Sequence, residues 1–309
     1  MLTLEQRMTP IWQTDIVWEE SLTMVRDKNG VAKAPLLYEP KQIFSVTNTA
    51  GNIVYEEYRD WIWQDGQFCL TPDSRIFAFE FDELYPVNEI PGHCLPIQEG
   101  YMLFEKGHFF HDRQIAVSYT CERGEWTGIK PTFSTDKLPR TTTRLKNGES
   151  LRIVLYGDSI SEGYNASGFT GAEPYQPCYG ELLYQELTSR TGAQIEFINP
   201  SKGGMDSVWG ADNVEELVNS HDVDLLIVAF GMNDGSKTPE EFVGNIRRLI
   251  KKAFNKQKEM EVILVATSTS NPILTVDRAK FWGNHVNHPN DFFQRCYAQF
   301  LVEMLLEKK

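Results

Sequence analysis

The chain has 309 residues, 41% of them hydrophobic and 24% charged, with a formal net charge of -13. That length suits two domains. Such an acidic surface repels nucleic acid and anionic membranes, and no stretch approaches the roughly 18 apolar residues of a membrane span, so neither is an expected partner.

The first twenty residues carry no basic stretch followed by an apolar one, so no signal peptide is read there. The five cysteines, Cys69, Cys94, Cys121, Cys178 and Cys296, are scattered, odd in number and without a CxxC pair. Free thiols in a reducing compartment follow, and the expected location is cytoplasmic.

From about residue 12 to 135 the pattern is β. "DIVWEESLTMV", "QIFSVTN", "NIVYEEYRDWIWQ", "RIFAFEF", "YMLFEKG" and "RQIAVSYTCE" are rich in β-branched and aromatic residues, with "DKNG", "NTAGN", "QDG" and "TPD" as turns between them. The spacing predicts an all-β, jelly-roll-like antiparallel sandwich as an N-terminal domain over residues 1–140. Tyr58, Trp61 and Trp63 suit a carbohydrate platform, or core packing, since Trp61 and Trp63 share a face of a strand. His108 and His111 in "HFFH" face opposite sides if the segment is a strand, which argues against metal.

Residues 134–150, "STDKLPRTTTRLKNGES", are polar and read as a linker. A second domain, 148–309, then alternates apolar strands ("LRIVLYGD", "AQIEFINP", "DVDLLIVAFG", "MEVILVAT") with helices. Thr238, Pro239 and Glu241 form a capping box with proline at the first helical position. A last helix runs from about Asp291 to Leu306. Strands buried on both faces and alternating with helices predict a doubly wound parallel sheet in a three-layer αβα domain. No phosphate-binding glycine loop is present, and neither a metal nor an organic cofactor is expected.

In such sheets chemistry gathers at the carboxyl ends of the strands. The first strand ends in Gly157-Asp158-Ser159, the second in "INPSKGGMDS", the third in "FGMND", and "NHVNHPND" precedes the last helix. Taken singly, each has a plain structural reading: Ser159 a helix cap, the glycine pair a turn, Asn233 an Asx-turn, His288-Pro289 a terminator. Their order and placement together point to a site.

In that order the four blocks resemble the SGNH/GDSL hydrolase superfamily, over roughly residues 150 to 308. The matches are Gly157-Asp158-Ser159-Ile160, then Asn199 with Gly204 five residues on, then Gly231-Met232-Asn233-Asp234, then His288-Pro289-Asn290. A β-rich domain ahead of such a domain is similar to the two-domain carbohydrate esterases that remove acetyl groups from polysaccharides. The resemblance implies a serine ester hydrolase with Ser159 as nucleophile and His288 as base. Its oxyanion hole would comprise the Ser159 and Gly204 backbone N–H groups and the Asn233 side-chain amide. The physical chemistry agrees: a serine hydroxyl needs a base to take its proton, and a tetrahedral oxyanion needs donors fixed in advance.

Two departures stand out. The family commonly has Asp three residues before the histidine, and here His285 stands there. Three readings follow: a Ser159–His288 dyad with a carbonyl orienting the ring, another acid such as Asp291 or Asp206, or weak activity. Asp291 is also the expected cap of the last helix. Only about twenty residues, 268–287, separate the last strand from the histidine block, too few for a full αβ unit. The sheet is therefore expected to hold four or so parallel strands, with an edge that a second copy would cover in a homo-oligomer. Trp209 and Trp282 suit the wall of a sugar pocket or ordinary packing. The expected substrate is a small-molecule or oligosaccharide ester. The alternatives are longer acyl chains, as in a lipase or thioesterase, and a sugar-binding protein with a degenerate hydrolase half.

Overall fold

A computed structural model describes residues 1–97, 99–123, 126–266 and 287–307. They divide into two compact units: one holds 1–128, 165–177 and 287–294, the other 129–164, 178–266 and 295–307. Among these residues no helix is long and apolar enough to cross a membrane, and all five cysteines are free.

The first unit is sheet-rich. Its elements are α1 (Leu4–Arg7), β1 (Ile16–Thr23), β2 (Val25–Arg26), β3 (Lys33–Ala34), β4 (Pro40–Asn48), β5 (Trp61–Gln64), β6 (Gln67–Leu70), β7 (Phe79–Glu80), α2 (Phe81–Leu84), β8 (Cys94–Pro96), β9 (Tyr101–Leu103) and β10 (Gln114–Cys121). β10 lies between β1 and β4, antiparallel to both, and is buried along nearly its whole length. β6 lies between β3 and β5, also antiparallel. The β5–β6 turn puts Asp65 and Gly66 at φ 51° and 71°. Positive φ at both central residues is what a tight two-residue hairpin requires, and Asp-Gly supplies it. β8 pairs antiparallel with β9, and β2 pairs in parallel with β7.

Two of the expected strands shrink. Of "NIVYEEYRDWIWQ" only Trp61–Gln64 forms a named strand, and of "RIFAFEF" only Phe79–Glu80. The buried Asp60 carboxylate is the reason. It accepts the Glu56 N–H (2.8 Å) and the Arg75 N–H (3.0 Å) and binds the Arg75 guanidinium (2.5 Å), so local backbone donors are satisfied without a ladder. The guanidinium holds the Asp60 carboxyl well below the usual carboxylate range.

Trp61 belongs to the core: it is 4% exposed and stacks on Phe68 at 5.2 Å. Trp63 donates its indole N–H to Glu39, while Tyr58 is exposed. The "HFFH" segment is a turn leading into a short 3-10 helix, not a strand. His108 pairs with Asp112 at 2.5 Å, and His111 bonds the Glu173 carbonyl at 2.7 Å.

The second unit holds the parallel sheet. In chain order follow α3 (Pro139–Asn147), β11 (Leu151–Gly157), α4 (Ser159–Glu162), α5 (Ser167–Thr170, in the first unit), α6 (Tyr179–Thr191), β12 (Ile195–Ile198), α7 (Ser207–Leu217), β13 (Leu225–Ala229), α8 (Pro239–Lys256), β14 (Glu261–Leu264) and α9 (Asp291–Leu305). Among the described residues the strand order is β12–β11–β13–β14, every pair parallel, in keeping with the four or so strands expected. Side chains alternate across it. Val154, Tyr156, Leu226 and Val228 face Ala211 and Val214 of α7 and Leu249 and Ala253 of α8. Leu155 faces the other side, where a Cβ on Gly180 of α6 would stand 2.6 Å from it, so only glycine lets that helix approach so closely.

The expected linker is instead a helix. Proline opens α3 and Gly148, at φ 69°, closes it, while Leu145 is fully buried. Two buried leucines, Leu138 at the N-cap and Leu145, and two good end signals suffice in a stretch that is otherwise polar. The Thr238–Glu241 capping box forms as expected, with both reciprocal bonds present.

Candidate active site

Gly157 ends β11 where the backbone is crowded. A Cβ there would meet the Ala229 carbonyl of β13 at 2.5 Å and the Ser161 hydroxyl at 2.5 Å, so the neighbouring strand dictates glycine. Asp158 follows as the N-cap of α4, its Oδ1 accepting the Ile160 N–H at 3.0 Å. Ser159 is thus the first helical residue and is 5% exposed. Asp158 is 1% exposed, and among the described residues its Oδ2 makes no hydrogen bond of good geometry. Burial pushes its carboxyl up to about 6, against the pull of the Ile160 N–H.

The glycine block is sewn to this turn. Ser201 accepts the Gly157 N–H at 2.9 Å and donates to the Leu155 carbonyl at 3.2 Å, so the hydroxyl where the family often has glycine has a structural task. The Asn199 amide donates to the Ser161 carbonyl at 2.8 Å, and Lys202 N–H to the Gly157 carbonyl at 3.1 Å. The Glu162 carboxylate accepts the Gly203 N–H at 2.5 Å. Gly204 follows at φ 77°, a conformation that favours glycine.

The asparagine block is tied in turn to the glycine block. Asn233 donates one amide N–H to the Met205 carbonyl at 2.9 Å. Asp234 accepts both the N–H and the hydroxyl of Ser207, at 3.1 and 2.5 Å. The structure therefore joins the loops of Ser159, Gly204 and Asn233 by direct hydrogen bonds, all at carboxyl ends of parallel strands. Of the two clamping carboxylates, Asp234 falls within the Gly231-Met232-Asn233-Asp234 block, while Glu162 lies outside the four blocks. Their partners lie 41 and 27 residues away, so no local pattern announces them.

Trp209 packs against Tyr156 (5.9 Å between ring centroids) and Phe230 (6.4 Å), on the core between α7 and the sheet. That is the packing reading rather than the pocket-wall reading. Asp206 is spent on structure: it caps α7 through the Trp209 N–H at 2.9 Å and pairs with Lys237 at 2.6 Å. The Lys237 ammonium keeps its carboxyl below the usual range.

His288 and Asp291 lie in the first unit. Burial lowers the His288 imidazole to about 4. The ring is therefore neutral at pH 7. Asp291 is not the cap of α9. Asn290 fills that place, accepting the Phe293 N–H at 3.1 Å one residue before the helix begins. Asp291 instead accepts the Ser167 N–H at 2.8 Å, and its carbonyl accepts the Gln176 amide at 2.7 Å. His285 and Trp282 lie outside the described residues.

Comparison with known proteins agrees with the motifs. Residues 155–299, a little under half the chain, match the GDSL-like lipase/acylhydrolase family. An arylesterase of Vibrio mimicus is 27% identical over 103 residues, which is 33% of this chain and 48% of the relative. Among solved structures, a two-domain esterase (CEX) active on acetylated mannans, co-crystallized with mannopentaose, is 23% identical with a TM-score of 0.45. That match covers 56% of this chain and 54% of the other. A carbohydrate esterase family 3 protein from Talaromyces cellulolyticus is 14% identical with a TM-score of 0.40, over 49% of this chain and 94% of the other. The chain thus spans about half the length of the curated relative it matches.

Proposed function

We propose that the chain is a carboxylic ester hydrolase that removes a short acyl group, acetyl foremost, from a carbohydrate or similar alcohol. The observation that carries this reading is the hydrogen-bonded union of the Ser159, Gly204 and Asn233 loops at the carboxyl ends of β11, β12 and β13. In the proposed mechanism the Ser159 hydroxyl attacks the ester carbonyl while neutral His288 takes its proton. The oxyanion is held by the Ser159 and Gly204 N–H groups and the second amide N–H of Asn233. His288 then gives its proton to the departing alcohol. Water, deprotonated by the same imidazole, releases the acid from the acyl-enzyme. We read the pair as a dyad: Asp206 caps α7 and pairs with Lys237, and Asp291 gives one carboxylate oxygen to the Ser167 N–H.

The acylhydrolase part of the reading draws support from the family match, and the carbohydrate part follows the substrate of the mannan esterase named above. We further infer that the sheet-rich unit is a jelly-roll-like module, supported by its antiparallel β1–β10–β4 and β3–β6–β5 sheets, and that the enzyme works in the cytoplasm. Hydrolysis of p-nitrophenyl acetate by the wild type and by Ser159→Ala, both shown to be folded, tests the core of this. Loss of a nucleophile lowers kcat by about 10³-fold or more. Equal rates would overturn the hydrolase reading in favour of a sugar-binding protein. A rate that climbs with acyl length across a nitrophenyl ester series would move the substrate to lipase or thioesterase type.

A further inference from the structure

The turn that carries Gly204 is closed by a long bond, the Met205 N–H to the Lys202 carbonyl at 3.4 Å. Among the described residues nothing lies within 4 Å of where a Cβ on Gly204 would stand, and its backbone is left-handed at φ 77°. Its ends, by contrast, are clamped. At the entry, Glu162 accepts the Gly203 N–H at 2.5 Å. Glu162 stands at the end of the same single helical turn that Ser159 begins. Asn199 fixes that turn again through the Ser161 carbonyl. At the exit, the N–H and hydroxyl of Ser207 both reach Asp234, and the Asn245 amide donates to the same hydroxyl at 3.0 Å. Ser207 is fully buried and Asp234 nearly so. Lys237 stands 2.6 Å from Asp206 and 3.6 Å from Asp234, balancing the carboxylates at this corner.

Asp234 also follows Asn233 directly. The Asn233 amide spends one of its two N–H groups on the Met205 carbonyl, inside the clamped turn. One carboxylate therefore ties the loop of one oxyanion donor to the loop of another. Glu162 ties the second loop to the nucleophile. Bonds to a carboxylate are about twice as strong as neutral ones, and catalysis falls steeply when donors drift by about 1 Å.

Building on the esterase reading above, we propose that Glu162 and Asp234 are positioning residues that hold the Gly204 N–H and the Asn233 amide on one point beside Ser159. They touch neither substrate nor oxyanion. Their work is felt only when charge develops on the carbonyl oxygen.

The test is steady-state hydrolysis of p-nitrophenyl acetate by Glu162→Ala, Glu162→Gln and Asp234→Ala, with Ser159→Ala alongside. The alanine variants are expected to lose about 10- to 100-fold in kcat, with KM within about threefold of wild type. Inhibition by a phenylboronic acid, which mimics the tetrahedral state, weakens in step with kcat/KM. Glu162→Gln keeps an acceptor for the Gly203 N–H and recovers to within about threefold of wild type. Should Asp234→Ala fail to fold, Ser207→Ala removes the hydroxyl bond alone and shows the same split at about 3- to 10-fold. Unchanged kcat in the folded clamp variants, or losses confined to KM, overturns the proposal while Ser159→Ala still reports on the esterase reading. No effect of Ser159→Ala overturns that reading and the clamp with it.

Discussion

Replacing Asp158 by asparagine separates the charge of a buried carboxylate from its capping work. Asparagine caps as well as aspartate does, so the bond to the Ile160 N–H survives. What disappears is an ionisable group at 1% exposure. Its carboxyl is pushed from 3.8 up to about 6, chiefly by burial. Between those values the native state holds a proton that the unfolded chain has released. Asp158 therefore favours folding fully below about pH 4, and that contribution is lost as the pH rises through 6. At roughly 1.4 kcal/mol per pH unit, the loss amounts to about 3 kcal/mol. Any fixed cost of burying the asparagine NH₂ is the same at every pH and cancels. Urea unfolding of both proteins from about pH 3.5 to 8 measures the difference. The stability of Asp158→Asn relative to wild type should rise by about 3 kcal/mol across that range, most of it between pH 4 and 6. Parallel curves would refute the argument that this carboxyl is perturbed by burial.

Three further outcomes follow from the same structure. The acid limb of kcat/KM should fall near pH 4 rather than 6.5, because burial favours the neutral His288 ring; a midpoint between 6 and 7 would remove that histidine as the base. Gly157→Ala places a methyl 2.5 Å from the Ala229 carbonyl and should cost about 2–4 kcal/mol in urea unfolding, as the β11–β13 pairing opens. Leu145→Ala should cost about 2–5 kcal/mol, since that side chain is fully buried; a change below 1 kcal/mol would return residues 134–150 to the status of linker.

Much of the second unit was legible because its signals are local. Unbroken apolar runs such as "LRIVLYGD" and "DVDLLIVAFG" read as strands buried on both faces, and they are. Thr238 and Glu241 announce a helix start by a spacing of three, and the bonds form. The three strand-end blocks of this unit stand out in the sequence for the same reason: each is a few consecutive residues. What escaped depends on partners far along the chain. Asp60 and Arg75, fifteen residues apart, satisfy backbone donors that a strand ladder was expected to take. Glu162 and Asp234 act on residues in other loops. Asn290, not Asp291, caps the last helix, a shift of one residue that composition alone does not resolve. Leu145 was missed because two leucines, Leu138 and Leu145, in an otherwise polar stretch are too few to establish a helical periodicity.

The chain visits each compact unit three times. It leaves the second unit after Tyr164, five residues past Ser159, to supply the 165–177 loop to the first, where Asn165 donates to the Gly107 carbonyl and Glu173 accepts from His111. No single cleavage point therefore yields one unit whole. A fragment beginning at residue 129 would carry away loops whose bonding partners lie before it, and residues 1–128 alone would lack those loops. In gene-fusion and truncation terms the protein behaves as one exon's worth of information rather than two exchangeable modules. Recombination that swapped the sheet-rich unit would have to rewrite the sequence on both sides of Ser159.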